Sequence, residues 1–181
     1  MTFAELMGAI RSSYAQVLAE AVAEHAPALR EAALRHADGT LKADGQPPLP
    51  HRFDAFHADG VNRMVDSERQ LRFDPFSFPI DGMTVSVAPF TWDWLDLEIA
   101  GDPAVAGAAC RAWFLRWFDE QDENEPDADG LRGVVHYMSD PLAVQDGIGL
   151  RIDLGSAPDE ALDDLLFALA DAGIGAVRLR A

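Results

Sequence analysis

Hydrophobic and polar residues alternate most regularly near the middle of the chain, where the pattern predicts a β-hairpin. Residues 76–80 and 83–87 flank the dipeptide Asp81-Gly82. Such a dipeptide supplies the two positive-φ positions of a two-residue type I′ turn. In the second arm an apolar residue stands at every second position, which is the period of a half-buried antiparallel strand.

The segment after the hairpin carries all four tryptophans of the chain and predicts a strand and then a helix. The alternation continues through Trp92 and Trp94 but changes parity at Leu95, where we expect a bulge or twist. Asp102 as N-cap and Pro103 at the first helical position predict the start of the helix. Its broad apolar face suits packing onto a sheet.

Helical periodicity also marks the N-terminal part of the chain. Thr2 and Glu5 are spaced as a capping box, and the apolar residues that follow recur with the period of a helix. Pro27 must kink or restart this helix. We expect a second helical segment beyond it, which ends at Asp38-Gly39.

The C-terminal third predicts a strand–strand–helix–strand unit. Residues 131–138 and 148–154 alternate in polarity and indicate two paired strands. Ser156 then stands as the N-cap of a helix with acidic residues in its first turn, and Gly173 ends that helix. Residues 176–180 form the last strand, which can join the sheet parallel to a neighbour.

This order of elements predicts an α+β fold, a mainly antiparallel twisted sheet with three or four helices packed on one face or at its ends. Asp-Gly dipeptides recur along the chain and favour antiparallel connections over βαβ crossovers. The length of 181 residues fits one globular domain, 1–181. We expect it to contain an N-terminal helical segment, a strand meander, a helix and the C-terminal unit, at about residues 2–37, 50–99, 103–120 and 131–180.

Charge narrows the range of partners. The chain has 14 Lys and Arg against 31 Asp and Glu, a net charge of −17. A field of this sign repels nucleic acid and anionic membranes and favours a basic partner protein. No run of about 18 apolar residues predicts a membrane span. The single cysteine, Cys110, and an N-terminus without the features of a signal peptide predict a cytoplasmic protein.

The segment 119–130 is the most acidic of the chain and directly follows the tryptophan-bearing helix. Negative charge at a helix C-terminus is unfavourable, and Arg111 and Arg116 are the internal residues expected to offset it. The segment also matches the first half of a calcium loop, but the match fails at its twelfth position, His136. A solvated loop, a calcium loop and a protein-binding surface all remain open. For the last of these, the predicted contact residues are Asp119, Glu120, Asp122, Glu123, Asp127 and Asp129, with a second patch of Asp93, Asp96 and Glu98.

A different hypothesis places a site near the tryptophans. His136 and Asp153 lie on neighbouring predicted strands and can form a pair, but neither Ser139 nor Ser156 stands in a nucleophile motif. Aromatic faces beside carboxylates also suit a sugar or a cation. The residues of this alternative site are Trp92, Trp94, His136 and Asp153.

Recognised cofactor motifs are absent from the sequence. It has no Gly-rich phosphate loop, dinucleotide fingerprint or Cys/His cluster, so we expect neither a cofactor nor a metal ion. The spacing of His51 and His57 exceeds that of a local ligand pair, and His25 and His36 are expected on solvent-facing helix positions.

Taken together, the sequence favours an immunity- or antitoxin-like protein, or an adaptor, that binds and neutralises a basic partner protein. The alternative is a small hydrolase, or a protein that binds a carbohydrate or another small molecule. Enzymatic activity is left open, with a binding role preferred.

Overall fold

The computed structural model describes residues 2–23, 29–56, 62–67 and 70–181. In this part of the chain the helices are α1 (Phe3–Ala23), α2 (Pro103–Phe118) and α3 (Asp159–Asp171). The strands are β1 (Leu29–Arg30), β2 (Ala43–Asp44), β3 (Leu49–Pro50), β4 (Ala55–Phe56), β5 (Asn62–Arg63), β6 (Phe76–Ile80), β7 (Met83–Val87), β8 (Leu95–Ala100), β9 (Tyr137–Met138), β10 (Leu142–Val144), β11 (Gly147–Asp153) and β12 (Ala176–Arg180).

The main sheet has seven strands in the order β10-β11-β8-β12-β7-β6, with β9 paired to the end of β11. Every pair is antiparallel except β12 with β7, which run parallel. The predicted α+β class, the mainly antiparallel sheet and the parallel last strand are therefore confirmed. Two smaller sheets, β1-β4-β5 and β2-β3, lie between α1 and the hairpin in the chain.

The predicted hairpin is present. Asp81 and Gly82 have φ angles of 44° and 90°, the left-handed conformations that a type I′ turn requires. Met83, Val85 and Val87 are buried while Thr84 is exposed, as the alternation predicts. This arm is half-buried because one face of the sheet carries the core.

The change of parity at Leu95 has a different cause from the expected bulge. A tight turn interrupts the chain, closed by a hydrogen bond from the Trp94 amide to the Thr91 carbonyl. Strand β8 starts after the turn, with Leu95, Leu97 and Ile99 buried. Because the strand starts anew, its register is independent of the preceding alternation.

Helix α2 begins as predicted, with the Asp102 carboxylate accepting hydrogen bonds from the amides of Ala104 and Val105. It ends at Phe118, slightly before the predicted position, because Asp119 adopts a left-handed conformation with φ 56°. Against it packs α3, whose buried positions are Ala161, Leu162, Leu165, Leu166 and Leu169. None of the helices in the described ranges is long and apolar enough to cross a membrane.

The second N-terminal helix, expected up to residue 37, is wrong for the described residues. From residue 29 the chain is extended, and the Leu34 amide bonds to the His51 carbonyl while the Phe53 amide bonds to the Ala32 carbonyl. His36 is exposed but is not helical. Backbone pairing with a distant segment has replaced the local helical preference, and Pro27 and His25 fall outside the described residues.

Two further expectations need correction. Residues 131–136 form no regular strand, because their backbone bonds go to separate partners such as the Trp117 and Asp153 carbonyls. Only β9 forms a ladder there. Ser156 does not cap α3, which begins after Pro158 without a side-chain cap. Instead the Ser156 hydroxyl oxygen accepts hydrogen bonds from the amides of Gly133 and Val134.

Candidate functional site

A cluster of ionisable side chains lies in the interior, centred on His136. His136, Glu31, Asp54 and Tyr14 are fully buried, and Asp153 is 6% exposed. Buried carboxylates are rare unless they are paired or bind a cation. The cluster is therefore the most unusual chemical feature of the described chain.

Three backbone hydrogen bonds bring four segments of the chain together at this point. The Glu31 amide donates to the Asp54 carbonyl, the Arg52 amide to the His136 carbonyl, and the His136 amide to the Asp153 carbonyl. Glu31 itself has a φ angle of 48°. This left-handed conformation is uncommon for a residue other than glycine and marks positions that the surrounding structure holds in place.

Glu31 fixes the edge of the imidazole ring that carries Nε2. Its Oε1 lies 2.7 Å from Nε2 of His136, and its Oε2 accepts a hydrogen bond from the Arg132 amide. Because a carboxylate at Nε2 favours a proton on that nitrogen, Nδ1 is the atom left to make other contacts.

Nδ1 of His136 faces two more carboxylates. It lies 2.8 Å from Oδ1 of Asp54 and 4.0 Å from Oδ2 of Asp153. The first distance is that of an ion pair, but the contact lacks hydrogen-bond geometry, and Nδ1 has no hydrogen-bond partner among the described residues. Three potential ligand atoms thus converge on one point.

Other groups hold the two aspartates in position. The Tyr14 hydroxyl donates to Oδ1 of Asp54 over 3.1 Å, and the Val65 amide donates to Oδ2 of the same residue. The Gly155 amide donates to Oδ1 of Asp153 over 2.9 Å. Each carboxylate is therefore oriented by neighbours outside the His136 contact.

The charges of the cluster shift its pKa values in opposite directions. Burial acts to lower the pKa of His136, but the adjacent carboxylates of Asp54 and Glu31 raise it well above its ordinary value. Burial acts to raise the pKa of Glu31, but the hydrogen bond and charge of His136, together with the hydrogen bonds from Ser156 and the Arg132 amide, outweigh it, so that this pKa is lowered. Burial raises the pKa of Asp153 to about 7, against the opposing effect of His136.

The cluster meets the surface at a mainly apolar cavity of about 270 Å³. Asp153 and Asp93 line it beneath Trp94, together with Met64, Val65, Asp66, Tyr137 and Arg151. Oδ2 of Asp93 accepts the Ser67 amide, whereas Oδ1 is buried with no hydrogen-bond partner in the described part of the chain. Three larger depressions in the described part of the chain, of about 320, 430 and 540 Å³, contain no member of the cluster.

Two of the residues that line this cavity, Trp94 and Arg151, form an aromatic–cation pair. The Arg151 guanidinium carbon lies 3.8 Å from the centroid of the Trp94 ring, and its Nε donates to Oδ1 of Asp96 over 2.8 Å. Trp94 is nevertheless 47% exposed. The pair keeps a large, partly exposed aromatic surface in a fixed position.

The structure brings together three of the four residues of the alternative site. Trp94 and Asp153 line the cavity, and His136 lies directly behind Asp153. Trp92 is fully buried and is not among the residues that line the cavity, and its carbonyl oxygen accepts the amide of Leu154, next to Asp153. Asp93, assigned to the second acidic patch, lies in the same cavity.

The other acidic residues do not converge on this site. Asp96 pairs with Arg151, and Glu98 pairs with Arg178 and Arg180. The acidic segment lies elsewhere, with exposed carboxylates at Glu120, Glu123 and Asp129.

Within the acidic segment, three carboxylates stabilise the local structure. Asp119 accepts the amides of Glu123 and Asn124, and Asp127 accepts those of Asp129 and Leu131. Asp122 pairs with Arg35 and with the buried Arg52. The expected role of Arg111 and Arg116 is wrong, since they bind the Pro48 carbonyl and Asp164 instead.

Glu31, Asp54 and Tyr14 are not predicted as site residues from the sequence. Glu31 was assigned to a helix, Asp54 lies in a weakly patterned stretch, and Tyr14 occupies an ordinary apolar position of α1. No local signal marks them, because their roles arise from contacts with residues far away in the chain.

Comparison of the chain with protein-family models, with curated proteins and with solved structures gives no match.

Proposed function

We propose that this protein binds a small molecule in the cavity beneath Trp94, and that the ligand carries a protonated amine or another strong hydrogen-bond donor. The observation that carries the proposal is the pair of carboxylates, Asp93 and Asp153, at one mainly apolar cavity. Oδ1 of Asp93 has no hydrogen-bond partner among the described residues. Apolar walls with a few convergent polar groups are typical of ligand sites.

The charge balance supports a ligand with donor groups. Asp66, Asp93 and Asp153 line the cavity, and Arg151 is the basic residue among them. The charge of Arg151 is offset by Asp96, to which it donates two hydrogen bonds. The cavity therefore has an excess of hydrogen-bond acceptors. Its volume of about 270 Å³ lies close to the lower end of the usual range for ligand sites.

The same geometry restricts any hydrolytic activity. The ring nitrogens of His136 face Glu31, Asp54 and Asp153, so that the imidazole does not contact a serine. The hydroxyl of Ser139 donates to the Asp140 carbonyl, and that of Ser156 accepts from two amides. Serine-type catalysis through His136 is therefore not supported, and a hydrolase would have to activate water at the carboxylates.

The test is a titration of tryptophan fluorescence with a panel of small amines and sugars. Asp93→Asn and Trp94→Ala should each weaken binding of a ligand by about tenfold, because the first removes a carboxylate charge and the second an aromatic wall of the cavity. Phe167→Ala is the matched control, since Phe167 is a half-exposed aromatic residue of α3 outside the cavity. Equal affinity of the wild type and both cavity variants would overturn the proposal.

A second candidate function is binding of a basic protein, in the manner of an immunity protein or adaptor. Its support is the net charge of −17 and an acidic segment that Asp119 and Asp127 stabilise locally. Glu120, Glu123 and Asp129 remain exposed on that segment, where they would raise the association rate of a basic partner.

Capture of a partner on immobilised protein tests this function. Changing Glu120, Glu123 and Asp129 to their amides should slow association and reduce its salt dependence. Changing Asp171, an exposed carboxylate of α3 that belongs to neither predicted patch, is the control. Unchanged association of the triple variant with a captured basic protein would exclude the acidic segment as the contact.

A further inference from the structure

We propose that Asp54, His136 and Asp153 bind a divalent first-row transition-metal ion, such as zinc or manganese, at the inner end of the cavity. The proposal deepens the proposed small-molecule function and rests on it for the role of the ion towards a ligand. The positions of the three side chains support the metal site independently of that function.

The distances fit a shared ion. One ligand atom from each of the three residues can be chosen so that all lie within 4.8 Å of one another. Zinc binds nitrogen and oxygen ligands at about 2.0–2.2 Å, which places two ligands of one ion about 3–4.4 Å apart. Small side-chain rotations are therefore enough to complete the coordination.

The orientation of His136 provides an independent indication. Its Nδ1 is buried, points into the cluster and has no hydrogen-bond partner among the residues described. Glu31 holds the opposite nitrogen at 2.7 Å. A carboxylate that holds one imidazole nitrogen while the other binds the metal is the usual outer-sphere arrangement of metal-bound histidine.

The two carboxylate ligands are also held in position by hydrogen bonds from neighbouring groups. Asp54 is oriented by the Tyr14 hydroxyl and the Val65 amide, and Asp153 by the Gly155 amide. Three buried carboxylates, those of Glu31, Asp54 and Asp153, surround one imidazole. A divalent cation would offset this excess of negative charge in the interior.

The donor set and its position indicate the kind of ion. One imidazole with two carboxylates suits borderline ions better than soft ions, which prefer thiolates. Asp153 also lines the cavity, so that one of the three ligands lies at its edge. Three protein ligands beside an accessible cavity leave a coordination position for water or a ligand, as in catalytic zinc sites.

An alternative without metal is an imidazolium that His136 forms between Glu31 and Asp54. The test uses the full chain after EDTA treatment and dialysis, titrated calorimetrically with Zn²⁺ and with Mn²⁺. We expect one ion to bind per chain and the melting temperature to rise with its concentration. A chain that binds neither ion, with an unchanged melting temperature, would overturn the metal proposal and support the imidazolium.

Matched variants locate the ion. Asp153→Asn should weaken binding at least tenfold, because it removes a ligand at the edge of the cluster. Glu125→Gln changes an exposed carboxylate of the acidic segment that is outside the three-residue set, and should leave the affinity unchanged within about twofold. Equal effects of the two variants, checked for folding by circular dichroism, would show that the ion binds elsewhere and overturn the assignment.

Cobalt gives a readout that does not depend on any variant. Co²⁺ added to the metal-free wild type should produce the visible absorption of a nitrogen- and oxygen-coordinated ion, and Zn²⁺ should abolish it by competition. A spectrum identical to that of Co²⁺ in buffer would overturn the proposal.

The two functions fail separately. Ligand binding that Asp93→Asn weakens in EDTA, together with no metal binding, would retain the cavity function and overturn the metal site. Metal binding without an effect of the cavity variants on ligand affinity would retain the metal site and overturn the cavity function.

Discussion

Oε1 of Glu31 lies 2.7 Å from Nε2 of His136, and both side chains are fully buried although 105 positions separate them in the chain. This contact joins the extended segment after β1 to the segment before β9. It also determines which imidazole nitrogen faces Asp54 and Asp153. The geometry of the candidate site therefore depends on a residue that does not line the cavity.

Replacing Glu31 by glutamine should strongly destabilise the fold. The amide keeps the shape of the side chain but removes the charge opposite His136, and it loses the acceptor for the Arg132 amide. Breaking a buried ion pair costs about 3–5 kcal/mol in the free energy of unfolding. Urea denaturation in EDTA measures the loss without any metal contribution.

Glu125→Gln provides the control for this variant. Glu125 is exposed in the acidic segment, so its replacement should change the free energy of unfolding by less than about 0.5 kcal/mol. A loss below about 1 kcal/mol for Glu31→Gln would contradict an ionised pair with His136.

Asp122 should make stability depend on pH in the acidic range. Its partial burial acts to raise its pKa, but the hydrogen bonds from Arg52 and Arg35 lower it below the ordinary value. Because the pKa is lower in the folded state, the ionised Asp122 carboxylate makes its full contribution to the free energy of unfolding above the unfolded pKa of about 3.9. It is lost as the pH falls through the folded pKa.

Asp122→Asn should therefore lower the free energy of unfolding by about 1–2 kcal/mol near pH 6. This value is low for charged hydrogen bonds, because 34% of the side chain is exposed and solvent screens the interaction. The difference from the wild type should shrink towards pH 2, which urea denaturation at several pH values measures. Glu123→Gln, at an exposed neighbouring position, should show no such change. A difference that stayed constant down to pH 2 would exclude Asp122 as the titrating group.

Cys110 should be inert in the native protein. It is fully buried in α2, and burial raises the pKa of its thiol from 9.0 to about 12. At a given pH the thiolate fraction is then about a thousandfold smaller than in the unfolded chain. Mass spectrometry after iodoacetamide treatment at pH 8 should show alkylation in urea and almost none without it, whereas equal rates would place the thiol at the surface.

Local sequence patterns correctly predict the elements that depend on interactions between neighbouring residues. The Asp81-Gly82 turn, the Asp102 cap of α2 and the alternation in β7 depend on neighbouring residues. The segment after residue 29 could not be predicted in this way, because its backbone partners are His51 and residues near it. A helical preference was outweighed there by distant pairing.

In the candidate site, too, some residues can be placed from local patterns and others only from distant contacts. The polar residues at the end of β11 and before β9 can be placed side by side from the predicted strand pairing, and His136 and Asp153 lie 4.0 Å apart. Glu31 and Asp54 enter from segments with weak periodicity. Their contribution depends on the tertiary contacts that bury them, which no local pattern in the sequence records.

Gly155 sets a steric limit on the position of His136. Its φ angle is 54°, and a Cβ atom added to it would overlap the imidazole ring. Gly155→Ala should therefore displace the ring from Glu31 and Asp54, in addition to the cost of a left-handed alanine, about 1–2 kcal/mol.

Gly173→Ala separates these two costs. Gly173 has a φ angle of 80°, and an added Cβ would meet no atom within 4 Å. In this variant the free energy of unfolding should fall only by the cost of a left-handed alanine. Any further loss in Gly155→Ala then measures the displacement of His136. The comparison is made by urea denaturation in EDTA, with the imidazole resonances of His136 followed by NMR. Equal losses of stability and an unshifted His136 signal would show that the added methyl group does not move the ring, and would contradict the prediction.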